Sequence, residues 1–385
     1  MPSIPSPDPS PDPPSPTPSP TVADLGEQGM LQRIQPYCLP DAIGDDGAVL
    51  HPSPGQSLVV TTDALIAGVH FSDATTPPHA AGWRAAAANL SDLAAMGALP
   101  LGLTVALALP PTTSLVWVEQ FYGGLRDCCE AYGTAIVGGD LCRSARLMVS
   151  ITAMGEVPPT NVLTRSAAQA GDIIAVTGTH GASRAGLELL LPKELSDPPG
   201  AHQGAESTLG PKPELRGGAI PPAAQRSAWI QAHQYPRPRL DWVPVLRQLQ
   251  GDLQLDRPLA AMDSSDGLAD AVLQLCRASG VDAELYGSQL PQPIGLASWQ
   301  GSQTALDWTL YGGEDFELVL CLPVSAWDWL QSYGDRFSTS PLTAIGQIRM
   351  PPAVPGTATP SVILRDRPHG PPLAHLSLEQ GFQHF

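Results

Sequence analysis

The stretch Asp41-Ala-Ile-Gly-Asp-Asp-Gly-Ala-Val-Leu50 places three carboxylates and two glycines immediately before a short apolar segment. Glycine reaches positive φ and allows close backbone approach, so the two adjacent aspartates can lie on an exposed, sharply shaped turn. Asp and Gly are also ordinary turn residues, and the stretch alone fits a simple surface turn equally well. We take it as the organising stretch because its pattern recurs along the chain.

An aspartate at the edge of an apolar run occurs in five further places. These are Thr61-Thr-Asp63, Asn89-Leu-Ser-Asp92, Gly138-Gly-Asp140, Asp263-Ser-Ser-Asp266 and Gly313-Glu-Asp315. Carboxylates that a fold brings together repel one another unless cations lie between them. The recurrence therefore predicts one site that holds several Mg²⁺ ions and binds phosphate groups through them.

The composition argues against several classes of function. A formal net charge of −17 disfavours binding to nucleic acid or to an anionic membrane surface. No apolar run approaches the roughly 18 residues of a membrane-spanning helix. Six scattered cysteines without a Cys-x-x-Cys pair are typical of reduced thiols. We therefore expect a cytoplasmic protein that acts on a small molecule.

The two lysines, Lys193 and Lys212, both lie in a region rich in Pro and Gly. The lysine of a Walker A loop and the strand lysine of a protein kinase are therefore absent. If the protein handles ATP, metal ions, arginines and backbone N–H groups must neutralise the phosphates.

The 385 residues suffice for two domains. Residues 1–22 are mostly Pro, Ser, Asp and Thr, which predicts a disordered tail. We expect an N-terminal α/β domain that binds ATP and magnesium at 23–157, and a C-terminal α/β domain at 158–385. Residues 192–238 lose periodicity and are predicted to form an irregular surface excursion.

Hydrophobic periodicity predicts the elements of the first half of the chain. The predicted strands are 57–63, 101–109, 134–137 (ending in Gly-Gly-Asp140) and 147–157, and the predicted helices are 79–97 and 116–132. Further on, Asp263-Ser-Ser-Asp266 opens a helix in which Ser265 is a natural N-cap, so Ser265 and Asp266 could serve as caps alone. Strands and helices do not alternate strictly, which favours α+β or mixed α/β domains.

Seven segments of residues 24–385 resemble, in order, those of the thiamine-monophosphate kinases, in the superfamily of aminoimidazole-ribonucleotide synthetase. They are Ile43-Gly-Asp-Asp46, Thr61-Thr-Asp63 through His70-Phe71, Asn89-Leu-Ser-Asp-Leu-Ala-Ala-Met-Gly97, Gly138-Gly-Asp140, Leu163-Thr-Arg-Ser166, Asp263-Ser-Ser-Asp-Gly267 and Gly312-Gly-Glu-Asp315. The string at 89–97 is the most specific of them. Ser264 departs from the family, since many members have a hydrophobic residue there.

The resemblance implies ATP-dependent phosphorylation of thiamine monophosphate to thiamine diphosphate. It also implies a homodimer whose N-terminal domains pair their sheets into a shared β-barrel, with a C-terminal α/β domain beside each. The implied Mg²⁺ ligands are Asp46, Thr61, Thr62, Asp63, Asp92, Asp140, Asp263 and Asp266. The implied ATP contacts are Gly139, Asp140, Arg165, Ser265 and Tyr122, and the implied contacts to thiamine monophosphate are His70, Glu314 and Phe382.

A phosphate acceptor is largely ionised at neutral pH, so we assign no catalytic acid or base; neutralising two anions is the main task. Two alternatives stay open at this point. One is another ATP-dependent enzyme of the same superfamily. The other is a non-catalytic protein that binds a divalent metal such as Ca²⁺, although no segment fits the EF-hand spacing.

Overall fold

The computed structural model describes residues 19–191, 220–333, 340–351 and 360–381. Most of the predicted tail, the lysine-containing segment 192–219 and Phe382 lie outside the described residues. Within those ranges, no helix is both long and apolar enough to cross a membrane.

The first half of the chain forms a four-stranded sheet with helices on one face. Its elements are α1 (Val22–Ile34), β1 (Ser57–Ile66), α2 (Pro78–Ala95), β2 (Leu99–Leu109), α3 (Leu115–Ala131), β3 (Ile136–Arg143) and β4 (Met148–Val157). The strand order is β1-β4-β2-β3, with β2 and β3 parallel and the other two pairs antiparallel. Alternate residues of β2, such as Leu103 and Leu107, are buried, and Ala106 between them is exposed.

The second half forms a seven-stranded sheet of order β11-β10-β7-β9-β5-β8-β6. Its strands are β5 (Ile173–Thr177), β6 (Ala260–Asp263), β7 (Asp282–Tyr286), β8 (Leu318–Leu322), β9 (Leu342–Arg349), β10 (Val362–Arg365) and β11 (Pro372–His375). Its helices are α4 (Ala182–Leu190), α5 (Ala223–Gln234), α6 (Trp242–Leu253), α7 (Leu268–Ser279), α8 (Leu296–Gln300), α9 (Ser302–Tyr311) and α10 (Val324–Tyr333).

Strand β8 has a hydrophobic core on each of its faces. Leu318 and Leu320 belong to a core that includes α6, α10 and the helices of the first sheet. Val319 and Cys321 belong to a second core beneath α7. A continuous apolar strand is the expected result of burial on both faces.

Strand β3 extends beyond its predicted end. It continues through Gly138-Gly-Asp140 to Arg143 because the parallel pairing with β2 continues, with Asp140 opposite Ala106. Gly139 lies so close to β2 that a Cβ atom there would be 2.1 Å from the Val105 carbonyl oxygen. The two strands therefore need a residue without a side chain at this position.

Two boundaries predicted from composition are wrong. Part of the supposed excursion is helix α5, and its Trp229 and His233 are 4% and 2% exposed. Most other apolar residues of α5 are alanines and one of its two buried residues is a histidine, so the helical period was weak. The tail also ends before residue 22, because the Leu115 N–H donates to the Pro20 carbonyl and the Val22 N–H to the Thr113 carbonyl.

The imidazole of His180 is fully buried, and neither ring nitrogen has a hydrogen-bond partner in the described part of the chain. Burial, with a smaller effect of Arg239, lowers its pKa to about 3. As the pH falls, His180 therefore takes up a proton in the unfolded chain before it does so in the folded protein. The contribution of the neutral, buried His180 to the free energy of unfolding is fully present above about pH 6.5 and is lost as the pH falls towards the folded pKa.

Between about pH 6 and pH 4, the free energy of unfolding should fall less steeply with pH in His180→Leu than in the wild type. We expect the two slopes to differ by about 1.4 kcal/mol per pH unit. Urea unfolding at several pH values measures the slope. The exposed His51→Leu serves as the control, since it should keep the wild-type slope. An unchanged slope in the His180 variant would contradict the assignment of this proton uptake to His180.

Candidate functional site

Helix α2 connects the two sheets at the candidate site. From one of its faces, the Asn89 Oδ1 atom accepts a hydrogen bond of 3.1 Å from the Asp63 N–H on β1. Two residues on, from nearly the opposite side of the helix, the buried Ser91 hydroxyl donates to the Asp263 carboxylate at the end of β6, at 2.7 Å. The string Asn89-Leu-Ser-Asp92 thus joins an aspartate of each sheet, and α2 rather than the 41–50 stretch organises the site.

The aspartates of the two sheets lie close enough to influence one another's ionisation. Burial, followed by the charges of Asp92 and Asp266, raises the pKa of Asp63 to about 6. Burial, followed by the charges of Asp92 and Asp63, also raises the pKa of Asp263 to about 7. Neighbouring carboxylates disfavour each other's charged form, which is the electrostatic condition that a bound cation relieves.

Asp92 has two favourable neighbours in addition to the acidic ones. Burial raises its pKa, whereas a hydrogen bond from the Thr61 hydroxyl and the positive charge of Arg165 lower it. Arg165 is exposed, so its guanidinium is accessible to a ligand beside the carboxylates. A guanidinium in that position can bind phosphate oxygens in a bidentate manner.

The loop between β6 and α7 differs from the predicted cap. Gly267, at φ 114°, occupies the N-cap position, and Ser265 instead donates to the Asp263 carboxylate at 3.3 Å. Ser264 is buried, and its hydroxyl accepts from the Glu317 N–H at 3.2 Å. This polar partner explains how a serine is tolerated where a hydrophobic residue is common. The N-cap prediction for Ser265 is wrong because the chain makes one further turn first.

Glu314 lies beside that loop on a strained stretch of backbone. Gly313, Glu314 and Phe316 have φ values of 65°, 58° and 52°, and non-glycine residues rarely adopt such values. The Glu314 N–H donates to the Ser265 carbonyl at 2.6 Å. One candidate contact to thiamine monophosphate is therefore fixed directly next to a candidate contact to ATP.

Sequence reasoning missed Arg84, which lies on α2 two turns before Asp92. Its Nη2 atom donates to the Glu314 Oε1 atom at 2.5 Å, and its Nη1 atom donates to the His233 carbonyl. The signal was present in the sequence: Arg84 is the single arginine of the alanine-rich helix, and a buried arginine requires specific partners.

Three other predicted metal ligands are exposed. Asp46 lies in the bends at 44–47, Asp140 lies on β3, and Thr62 faces away from the aspartates and donates to the Ile151 carbonyl at 2.8 Å. Across the described ranges, no three or more His, Cys, Asp or Glu side chains are arranged to hold a metal ion by themselves. The structure does not join Asp46 or Asp140 to the aspartate cluster.

Two predicted ligand contacts are engaged within the protein itself. Tyr122 is 2% exposed and packs against Tyr37 and Phe121, so its side chain does not reach a ligand in this structure. The Nδ1 atom of His70 accepts from the Ile66 N–H at 3.0 Å at the end of β1, and the residue stays partly accessible. We drop Tyr122 from the site and keep His70.

Comparison with known proteins identifies the family. Residues 44–157 match the family described as AIR synthase related protein, N-terminal domain. The thiamine-monophosphate kinase of Synechococcus elongatus is 46% identical over 365 residues, which cover 95% of this chain and 98% of that protein. The chain belongs to the thiamine-monophosphate kinase family.

Solved structures agree with this membership. The thiamine-monophosphate kinase of Stenotrophomonas maltophilia is 32% identical, with a TM-score of 0.69 and coverage of 88% of this chain and 96% of that one. The structure of AaThiL complexed with AMPPCP and TMP is 28% identical, with a TM-score of 0.64 and coverage of 94% and 98%. The predicted family and the mixed α/β fold of a thiamine-monophosphate kinase are confirmed.

Proposed function

We propose that this chain transfers the γ-phosphoryl group of ATP to thiamine monophosphate, giving thiamine diphosphate, by direct transfer in a site built on α2. One observation carries the proposal: Asp63 and Asp92 lie near Asp263 and Asp266, and the Ser91 hydroxyl donates a hydrogen bond to the Asp263 carboxylate. Carboxylates from both sheets that raise one another's pKa form a site suited to cations and phosphates.

The two ends of the acceptor would lie near two positions on α2. Arg84, which binds Glu314, precedes Asp92 by eight residues, or about 12 Å along a helix axis. The thiamine end would lie at Glu314, with His70 and Phe382 as further contacts taken from the family motif. Its phosphate would extend towards the aspartates, and ATP would bind from the side of Arg165, Ser265 and Gly139.

The donor set fits Mg²⁺, which prefers carboxylate and phosphate oxygens and keeps several waters. Asp63, Asp92, Asp263, Asp266 and Thr61 would hold the ions together with substrate phosphates, since these side chains do not form a complete cage alone. Asp46, Thr62 and Asp140 are proposed as further ligands on the family motif alone. The same incomplete cage disfavours the alternative of a non-catalytic metal-binding protein.

The chain's own residues supply orientation and charge. Bound Mg²⁺ would neutralise the phosphate oxygens as the two anions approach. Arg165 would hold phosphate oxygens beside Asp92, and Glu314 would orient the thiamine. The acceptor phosphate carries its own negative charge, so proton removal by a side chain is not required.

An exposed apolar sheet face supports the proposed homodimer. Leu58 and Val60 of β1 are 53% and 58% exposed, on the face opposite α2 and α3. Exposed apolar residues on a sheet face are typical of an interface, and sheet pairing would close the barrel.

We also propose the domain boundary at 157/158, where β4 ends and the chain passes to the seven-stranded sheet.

Incubating the protein with ATP, Mg²⁺ and thiamine monophosphate, followed by chromatography, tests the function. We expect thiamine diphosphate and ADP in equal amounts, and no thiamine diphosphate when EDTA is present. Release of ADP at the same rate without thiamine monophosphate would contradict the proposal and favour another activity of the superfamily.

A further inference from the structure

Arg84 is a buried cation with few partners. It is 2% exposed, and its Nε atom has no hydrogen-bond partner in the described part of the chain. Its two terminal nitrogens donate to the Glu314 carboxylate and the His233 carbonyl, and the Nη1 atom also lies 3.5 Å from the His233 Nδ1 atom. Because an isolated charge is costly to bury, the ion pair with Glu314 accounts for the presence of an arginine in this helix.

Glu314 depends on Arg84 for its side-chain position. The left-handed backbone and the hydrogen bond to Ser265 fix where the Glu314 side chain begins. The carboxylate itself is 34% exposed and would otherwise sample several rotamers. The guanidinium holds the Oε1 atom, and the Oε2 atom remains available to a ligand.

The neighbouring histidine does not replace this cation. The His233 Nδ1 atom lies 3.8 Å from the Glu314 Oε2 atom and 3.1 Å from the Ser183 hydroxyl. Burial, followed by the charges of Arg84 and Arg184, lowers the pKa of His233 to about 3, so the ring is neutral near pH 7. Among the described residues, Arg84 and His233 are the two side chains that the structure pairs with Glu314, and near pH 7 Arg84 carries the positive charge.

We infer that Arg84 is a positioning residue that orients Glu314 towards the thiamine end of the acceptor, an inference that rests on the proposed function. Thiamine presents the exocyclic amino group of its pyrimidine, a hydrogen-bond donor that suits a carboxylate oxygen held in place. Through Arg84 and Asp92, one helix then sets both ends of the acceptor site. A change at Arg84 should therefore weaken acceptor binding and leave ATP binding unchanged.

Steady-state kinetics of Arg84→Met test the inference. We expect the KM for thiamine monophosphate to rise about tenfold or more, equivalent to about 1.4 kcal/mol of lost binding, with the KM for ATP nearly unchanged. Arg84→Lys should show a smaller rise than Arg84→Met, because the ammonium ion keeps the positive charge. Some rise should remain, because an ammonium ion cannot hold both partners at once. The lysine variant also serves if the methionine variant fails to fold.

A double-mutant cycle separates positioning from general support of the fold. If Arg84 acts through Glu314, adding Arg84→Met to Glu314→Gln should raise the KM for thiamine monophosphate no further. Arg247→Met is the matched control, because Arg247 also bridges the two halves, by donating to the Gly97 and Glu156 carbonyls. It should lower stability and leave the KM for thiamine monophosphate unchanged.

Additive effects of the two variants, or an equal rise in both KM values, would overturn the inference. An unchanged KM for thiamine monophosphate in both Arg84 variants would overturn it as well. Failure of the wild-type enzyme to make thiamine diphosphate would instead contradict the proposed function, so the two failures are distinguishable.

Discussion

Asp263→Asn should lower phosphoryl transfer by about two to three orders of magnitude, the loss typical of removing one electrostatic group from a preorganised site. Without metal, the same variant should be as stable as the wild type or slightly more stable. Two carboxylates about 4 Å apart repel by up to about 4 kcal/mol at an effective dielectric constant of about 20, and the amide removes part of that repulsion. Asparagine can still accept the hydrogen bond from Ser91.

Thermal melts in EDTA, and then with Mg²⁺ and AMPPCP, measure both parts of this prediction. The wild type should gain much more stability from Mg²⁺ and nucleotide than Asp263→Asn does, by linkage. Asp307→Asn on the surface of α9 is the control and should behave as the wild type in every condition. A variant that melts several degrees lower in EDTA and still gains full stabilisation would show that Asp263 has a structural role instead.

Gly124→Ala should destabilise the protein by about 3 kcal/mol and lower its activity. Helices α2 and α3 are in backbone contact at two glycines: a Cβ atom at Gly124 would lie 1.8 Å from the His79 carbonyl oxygen, and one at Gly82 would lie 1.9 Å from the Phe121 carbonyl oxygen. The helices would have to separate to admit a methyl group, which is costly in a packed core. Activity should fall because the displaced helix, α2, carries the site residues.

Gly123→Ala is the matched control for that prediction. Its Cβ atom would lie 3.6 Å from the nearest atom, a side-chain carbon of His79, which is an ordinary contact. Alanine also favours a helix over glycine by about 0.5–1 kcal/mol, so this variant should be slightly more stable than the wild type. Chemical unfolding of both variants gives the comparison, and equal stabilities would contradict the close packing of α2 on α3.

The sequence predicted the elements with strong periodicity well. Strand β1, helices α2 and α3 and strand β4 all form close to their expected bounds. Helix α5 was missed because its buried face consists of few residues, among them Trp229 and His233. The end of β3 was missed because glycines and an aspartate suggest a turn, whereas pairing with β2 extends the strand.

For the candidate site too, local sequence patterns predicted some residues, and contacts between distant parts of the chain decided the others. Asp63, Asp92, Asp263 and Asp266 were predicted from repeated local patterns, and in the structure neighbouring aspartates of this set influence the pKa of Asp63 and Asp263. Their role as metal ligands stays a prediction. Arg84 was missed because its role depends on a partner 230 residues away in the chain, which no local pattern reveals. Tyr122 was expected to contact ATP from the resemblance, and the structure buries it, because a family motif does not report how deeply a side chain is buried.

The central claim is that aspartates of both sheets form one site for cations and phosphates. The most direct measurement is anomalous diffraction from crystals grown with Mn²⁺, AMPPCP and thiamine monophosphate. We predict manganese peaks between the nucleotide phosphates and the carboxylates of Asp63, Asp92, Asp263 and Asp266. Nucleotide bound with its manganese away from these four side chains, and contacting none of them, would contradict the claim.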